Sequence, residues 1–337
     1  MTTSVIITVY NLEAFAGLAI ESVLQQTKKA DEVIVVDDGS TDNSAAVIER
    51  YKDQVRLVRM EKNSGVLPAF LTGIKAASGD ILCFLDGDDI WMPEKMEKVI
   101  SAFEQNRDVM MVTHIHQWID KEGNVTGEVD ETHRNVQRIV SLAKDAAHLD
   151  ALIKNSILCY KGVWLGSAFC IRRSDLDLEA FEQWVNSLAG KELSHQDQPL
   201  AAFLIYSNPH KKIHLINEAL FKYRVYPTNS SGSSINVQSA IKTINRSIAT
   251  VQRTKDIVLR NPAWKEEGYM QRMKLLELEF YRDLYMNKRA NAISRYFTLL
   301  KGYWSKEQKL KETKRLIACL ILGPAKFLRM KTTRRFD

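Results

Sequence analysis

"FLDGDDIWMPEK", residues 84–95, runs from apolar residues into three carboxylates within four positions, Asp86, Asp88 and Asp89, with Pro93 shortly after. Like charges this close raise one another's pKa, so the cluster calls for a positive partner. The residues ahead of it, "DILCFLD", read as a strand covered on both faces, which puts the acids at its carboxyl end. Upstream, "DEVIVVDDGSTDNS" repeats the pattern with Asp37 and Asp38, a turn and a helix start. In open α/β sheets ligands bind outside the carboxyl ends of the strands. If the two strands are neighbours, both clusters meet in one crevice. A hard divalent cation, Mg²⁺ or Mn²⁺, holding a diphosphate would then balance them. The competing reading makes Asp88 or Asp89 an N-cap for a helix starting near Pro93.

Working outward, "SVIITVY" (4–10) is a first strand, and Asn11 is a helix cap for "LEAFAGLAIESVLQQT". "AAVIERYK" is a helix and "VRLVRM" a strand. "PAFLTGIKAASG" is a helix stopped by Gly79 as a C′ residue. "VMMVTHIHQWID" (109–120) is a strand, with "KEGN" turning into a return strand. Residues 136–158 read as helical, "GSAFCIRRS" as a strand, "HQDQPLAAFLIYS" as a helix, and "KIHLINEALFKYRVY" as one or two strands. Strands alternating with helices predict an α/β fold, a mostly parallel sheet flanked by helices. From 236 onward the pattern is helical, broken near "RNPAW" and "LGPAKF". The Gly/Ser/Asn-rich run "PTNSSGSSIN" (227–236) is the natural cut. The expected organisation is a domain over 1–230, in halves 1–120 and 121–230, and a helical region over 236–337.

The halves differ in charge. Residues 236–337 hold 23 Lys+Arg against 9 Asp+Glu, a net +14, so the remainder of this +6 chain carries −8. Within the basic part, Leu316, Ile317, Leu320 and Ile321 form an apolar stripe that Phe327 and Leu328 extend. Lysines and arginines flank it on both sides. That composition suits a helix lying on an anionic membrane leaflet. The alternatives are packing on the N-terminal domain or dimerisation. No nucleic-acid-binding module is recognisable, so nucleic acid is not an expected partner. Four cysteines far apart, with no C-x-x-C pair, fit a reducing compartment rather than a disulfide framework or a zinc site. The N-terminal apolar run lacks a basic lead and a cleavage site, and no run reaches the roughly 18 residues of a membrane span. The expectation is a cytoplasmic chain, peripheral on the cytoplasmic face of the membrane, in which the sequon at Asn229 is idle.

"SVIITVYN", "EVIVVDDGSTDNS", "NSGVLPAFLTGIKAASGD" and "FLDGDDIWMPEK", in this order and spacing, resemble the nucleotide-sugar-binding half of the family 2 glycosyltransferases, which have the GT-A fold. The resemblance is strong over about residues 1–120, weaker to about 230, and absent beyond. It implies an inverting, metal-dependent transfer from a nucleotide-diphosphate sugar, UDP foremost, to a hydroxyl of a glycan or lipid-linked acceptor, in surface polysaccharide synthesis. Residue by residue, Thr8 and Tyr10 line the nucleotide pocket, and Asp38 accepts from the base with Asp37 beside it. Asn63 and Gly65 match a nucleotide-side loop. Asp86 faces the ribose and sugar, and Asp88 is the direct metal ligand with Asp86 beside it. Asp89 is left to cap the next helix. Phe70 stands where the family often has Arg.

Direct displacement needs one base for the acceptor hydroxyl. The family's acidic pair at a helix start is matched by "SHQDQPLAAF", which makes Asp197 the candidate catalytic base, with Gln196 in place of Glu, while His195 is read as a surface or core residue rather than an assistant. The alternative is that Asp197 is only an N-cap. Arg224 in "FKYRVYPTNSSG" is the candidate diphosphate contact, against a structural ion pair, and Tyr226 replaces a family His. Trp164, Gly166 and Ser167 in "WLGSAFCIRRS" are acceptor-side candidates. His114 and His116 share one strand face and are read as packing or a pocket wall rather than metal ligands. A nucleotidyltransferase would need a Gly- and Lys/Arg-rich loop after the first strand, which "TVYNLEAFAG" lacks. A catalytically impaired glycan- or membrane-binding scaffold is the remaining alternative, kept open by Gln196, Phe70 and Tyr226.

Overall fold

A computed structural model describes residues 1–126, 131–159, 165–187, 189–190, 193–226 and 236–333. The chain divides into two compact units, Met1–Arg224 and Val225–Asp337. The first is built on an eight-stranded sheet of order β3-β2-β1-β4-β7-β6-β8-β5. Its strands are β1 (Thr3–Val9), β2 (Glu32–Asp37), β3 (Arg56–Arg59), β4 (Ile81–Asp86), β5 (Ile90–Trp91), β6 (Val109–Ile119), β7 (Cys170–Arg172) and β8 (Lys212–Arg224).

β3, β2, β1 and β4 are parallel neighbours. β1 is buried along its whole length, and β4 over all but its last residue. Continuous Val/Ile/Leu runs belong in strands with both faces covered. Helices α1 (Ala16–Leu24) and α3 (Val66–Ala76) cover this half. β7 then enters antiparallel between β4 and β6. β8 runs parallel to β6 and antiparallel to β5. The sheet is thus parallel in its first half and mixed in its second. "KEGN" does turn the chain, with Gly123 at φ +96° and a bridge between Ile119 and Val125.

Register fixes the site. Thr8 lies opposite both Val36 and Asp86, and Val9 lies opposite Asp37. The carboxyl ends of β2, β1 and β4 are therefore level, and the two acidic clusters open on the same edge.

Two local expectations are corrected. Asn11 does not cap a helix: α1 begins at Ala16 with Phe15 in the cap position. Asn11 instead has φ +52°, and its side chain accepts the Thr41 amide at 2.8 Å. Asn tolerates the left-handed region better than most residues, so the same residue type serves either role. Gly79 is not a left-handed C′ residue, since α3 closes at Ala77 in extended conformation. A Cβ at Gly79 would lie 2.6 Å from the Ser4 amide nitrogen, so Gly is needed there for close backbone approach to β1.

The second unit holds α9 (Val237–Leu259), α10 (Lys265–Tyr285), α11 (Arg289–Gly302), α12 (Lys306–Leu322) and α13 (Pro324–Thr333). The remaining helices of the first unit are α2 (Ser44–Glu49), α4 (Lys95–Gln105), α5 (Glu131–Leu142), α6 (Ala146–Leu158), α7 (Leu178–Ser187) and α8 (Asp197–Ser207). In the second unit, buried Glu277 accepts from Trp304 Nε1 at 2.7 Å and pairs with Lys274 at 2.9 Å, tying α10 to the end of α11. Ser305 and Gln308 form a capping box at the start of α12. Among the described residues no helix is long and apolar enough to cross a membrane.

Candidate active site

At the end of β4 the chain turns on Asp86–Asp89. The Asp89 amide donates to the Asp86 carbonyl at 3.0 Å. Asp86 Oδ1 accepts from Thr8 Oγ1 at 3.3 Å and from Gln196 Nε2 at 3.1 Å. Burial raises the Asp86 pKa to about 7, and the carboxylates of Asp88 and Asp197 add to the rise. Asp86 therefore feels both Asp88 and Asp197, although residue 197 is far away in sequence.

Asp197 is the first residue of α8, with Gln196 in the cap position. Its Oδ1 accepts the Gln198 amide at 2.8 Å, and the Gly166 amide also donates to it. Burial raises its pKa, while His195 and these amides pull the other way. The helix N-terminus adds to that pull. Asp197 is thus anchored by backbone donors without being the cap residue. A Cβ at Gly166 would lie 2.9 Å from Gln196 Nε2, so a side chain there would push against the amide that holds Asp86.

Asp89 does not cap the next helix. The cap position of α4 is Glu94, with no side-chain capping bond. Asp89 is 1% exposed and accepts from Ser167 Oγ at 2.6 Å and from the Arg224 amide at 3.0 Å. The Ser167 hydroxyl also accepts the Asp86 amide at 3.0 Å. The Ser167 carbonyl takes a 2.6 Å bond from the fully buried Lys95 ammonium, which sits 3.8 Å over the Trp91 ring. Burial lowers the Lys95 pKa to about 8. Ser167 is an acceptor-side candidate in the sequence, but its bridge between Asp86 and Asp89, and the place of Lys95 beneath it, are contacts across 70 or more positions that sequence reading misses.

Arg224, expected as a diphosphate contact or a structural ion pair, reaches the acidic loop. It is 1% exposed and lies 4.7 Å over Phe15. Its guanidinium donates to the carbonyls of Asp88 at 2.8 Å, Asp120 at 3.1 Å and Lys121 at 2.7 Å. It fastens the acidic loop to the end of β6 through three carbonyls.

On the β2 side, Asp37 is fully buried, accepting the Ser40 amide at 2.9 Å and pairing with Arg59 Nε at 3.4 Å. It shapes the turn that follows β2. Asp38 takes the amides of Ser64 and Gly65 at 2.7 and 2.9 Å, one on each oxygen. Gly65 presents its amide from φ +97°, a conformation suited to glycine, and Asn63 Oδ1 accepts the same amide at 3.1 Å. Each Asp38 oxygen keeps a further lone pair for a ligand. Burial raises the Asp38 pKa against the pull of these amides. Tyr10, 41% exposed, follows β1 directly. Phe70 is buried against Phe84 at 4.4 Å and offers nothing to a ligand. A cation on this edge is Arg59, whose side chain is 60% exposed beside Asp37.

His114 and His116 pack against Phe221, with ring centroids at 5.6 and 5.2 Å, and His116 accepts from Trp118 Nε1. Trp164 lies outside the described residues. Among the described residues no three His, Cys, Asp or Glu side chains form a ready metal cage. Asp86 and Asp88 fit a cation that draws its other oxygens from water and phosphate, the usual habit of Mg²⁺. The carboxylate repulsion that lifts Asp86 is what such a cation would relieve.

Residues 4–151 match the family model described as glycosyl transferase family 2. An uncharacterized glycosyltransferase of Nostoc sp. is 42% identical over 124 residues, 36% of this chain and 38% of that one. The uncharacterized glycosyltransferase EpsJ of Bacillus subtilis is 28% identical over 67% of this chain and 62% of its own length. The chain thus spans less than two thirds of either relative. A crystal structure of S. aureus TarS 1–349 in complex with UDP-GlcNAc superposes with a TM-score of 0.55 at 17% identity, covering 90% of this chain and 91% of that one. The mannosyltransferase PcManGT of Pyrobaculum calidifontis, in complex with GDP-Man and Mn²⁺, gives 0.54 at 13% identity over 98% and 83%. These two share the fold of the chain.

Proposed function

We propose, from the match of residues 4–151 to the glycosyl transferase family 2 model and the fold shared with two solved glycosyltransferases, that this chain is an inverting glycosyltransferase of the GT-A type. It moves a sugar from a nucleotide-diphosphate sugar, UDP foremost, to a hydroxyl of a glycan or lipid-linked acceptor in surface polysaccharide synthesis. The observation that carries the reading is the 3.1 Å bond from Gln196 Nε2 to Asp86, which brings the start of α8, with Asp197, to the acids at the carboxyl end of β4.

Asp88 and Asp86 would hold Mn²⁺ or Mg²⁺, which when bound neutralises charge developing on the leaving diphosphate. Asp197 accepts the proton of the acceptor hydroxyl; its backbone donors fix the direction of the carboxylate before the acceptor arrives. Gln196 and Thr8 orient Asp86. Asp38, Asn63, Gly65 and Tyr10 form the nucleotide edge, with Arg59 as its cation. Gly166 and Ser167 border the acceptor side. The expected division, 1–230 catalytic and 236–337 appended, assigns the basic part to an anionic membrane surface at the cytoplasmic face or to a homodimer contact.

The test is calorimetric titration with UDP, GDP and dTDP, each with Mn²⁺ and with chelator, followed by Asp197→Asn. Metal-dependent binding of one nucleotide is expected. Transfer by the variant should drop by about a thousandfold or more with donor affinity kept. Absence of nucleotide binding by the folded protein would instead favour the impaired scaffold, and persisting transfer would remove Asp197 from the base role.

A further inference from the structure

The last helices of the second unit turn apolar residues both ways. On one face of α12, Leu316 and Cys319 are buried with Glu312, which pairs with Arg315 at 2.9 Å. Arg315 in turn lies 4.7 Å over Tyr281 of α10. This face is what the helix packs with. The stripe read from the sequence is thereby split, because Leu316 and Leu328 point inward while Ile317 and Ile321 do not. Leu310, Ile317 and Ile321 are 59%, 51% and 75% exposed. Their spacing of seven and four residues places them in one line along the helix. A helix that packs on one side should be polar on the other, and this one is not.

The surroundings of the line are cationic. Lys306, Lys311 and Lys314 are exposed on the same helix, and Lys326 on α13. Residues 306–333 hold eight Lys+Arg against two Asp+Glu. Where α12 meets α13, a cleft of about 490 Å³ lined by Leu322, Gly323, Pro324, Ala325, Lys326 and Arg329 continues the apolar surface.

We infer that the outward face of α12 docks on an anionic lipid bilayer, with Leu310, Ile317 and Ile321 entering the acyl boundary and the lysines reaching the headgroup phosphates. A bilayer supplies apolar depth and negative charge together, and lysine stems reach from one to the other. A second copy of the chain fits less well. A two-fold contact sets the same patch against itself, and here that would oppose lysine to lysine in a unit of net +14. The inference deepens the membrane part of the proposed function and rests on it, but not on the transfer chemistry.

The experiment is vesicle co-sedimentation of the full chain without donor or acceptor. Vesicles are phosphatidylcholine alone, or with about a third phosphatidylglycerol. The wild type should partition onto the anionic vesicles far more strongly than onto the neutral ones. Leu310→Gln/Ile317→Gln/Ile321→Gln should lose at least about tenfold of that partition. Lys306→Gln/Lys314→Gln should lose about twentyfold, with neutral vesicles unaffected. All substituted side chains are solvent-exposed, and unchanged circular dichroism and nucleotide binding confirm that the variants fold. Equal partition onto both vesicle types, or undiminished binding by the apolar triple variant, would overturn the inference. So would a dimer in analytical ultracentrifugation that the triple variant dissolves while neither protein binds lipid. Failure here with nucleotide binding intact leaves the glycosyltransferase reading standing.

Discussion

Asp86 should make donor binding a proton-releasing event near neutral pH. Its carboxyl is raised to about 7 by burial and by the charges of Asp88 and Asp197. Moving from pH 8 to pH 6 takes it from about one-tenth to about nine-tenths protonated. A cation-bound diphosphate needs the ionised form, so at pH 6 that proton must leave first. Apparent affinity should fall about tenfold over those two pH units, roughly 1.4 kcal/mol. About 0.9 proton should leave per binding event at pH 6 and about 0.1 at pH 8. The assay is calorimetry with Mn²⁺ and a nucleotide-diphosphate sugar, without acceptor, in buffers of different ionisation heat. The sugar diphosphate is a diester and does not itself titrate here, unlike a free nucleoside diphosphate. Affinity that stays flat from pH 6 to 8, with no buffer-dependent heat, would refute the reasoning. Folding stability follows the same proton. Between the ordinary carboxylate value of 3.8 and about 7 the native state holds a proton that the unfolded state has lost. Asp86 therefore makes the metal-free protein less stable as pH rises through that window, levelling off above it.

Ser167→Ala removes the hydroxyl that serves both Asp86 and Asp89; urea unfolding should show a loss of about 1–3 kcal/mol, and a loss below about 0.5 kcal/mol would mean the bridge is unimportant. Gln196→Glu puts another carboxylate where an amide now donates to Asp86 at 3.1 Å. The pH curve of donor binding should move up by about one unit or more, and an unmoved curve would detach Gln196 from Asp86. Phe70→Arg, which places the residue type that the resemblance implies there, should destabilise the fold by about 3 kcal/mol or more, because the site is 2% exposed and packed on Phe84. A stable variant with tighter nucleotide binding would show that the segment can turn outward.

The parallel half of the sheet was legible because its strands are covered on both faces, leaving continuous apolar runs followed at once by acids. Level strand ends then follow from short βα connections. The antiparallel entry of β7 was not legible, since "GSAFCIRRS" announces a strand but no direction. Asn11 and Gly79 were misread because one residue type suits two backbone tasks, and only contacts with Thr41 and Ser4 decide between them. Arg224 carries no sequence mark distinguishing a ligand contact from a clamp on three carbonyls. Ser167 and Lys95 gain their roles from contacts over 72 to 81 positions, beyond the reach of any periodicity. The split of the α12 stripe between Leu316 and Ile317 is a matter of helix rotation, which an all-round apolar segment leaves undetermined.

The Ser167 hydroxyl has a consequence for how such a domain can be recombined. The turn at Gly166–Ala168 belongs to the half expected to read the acceptor, and the Asp86–Asp89 loop to the half expected to read the donor. A single oxygen joins them, accepting from one acid's amide and donating to another acid's side chain. A chimera that joins residues 1–120 to a foreign second half inherits a working donor loop only if the newcomer brings a hydroxyl to that place. Crossover points in domain shuffling should therefore be chosen to keep Asp86, Asp89 and Ser167 from one parent, even though the graft junction lies far from all three.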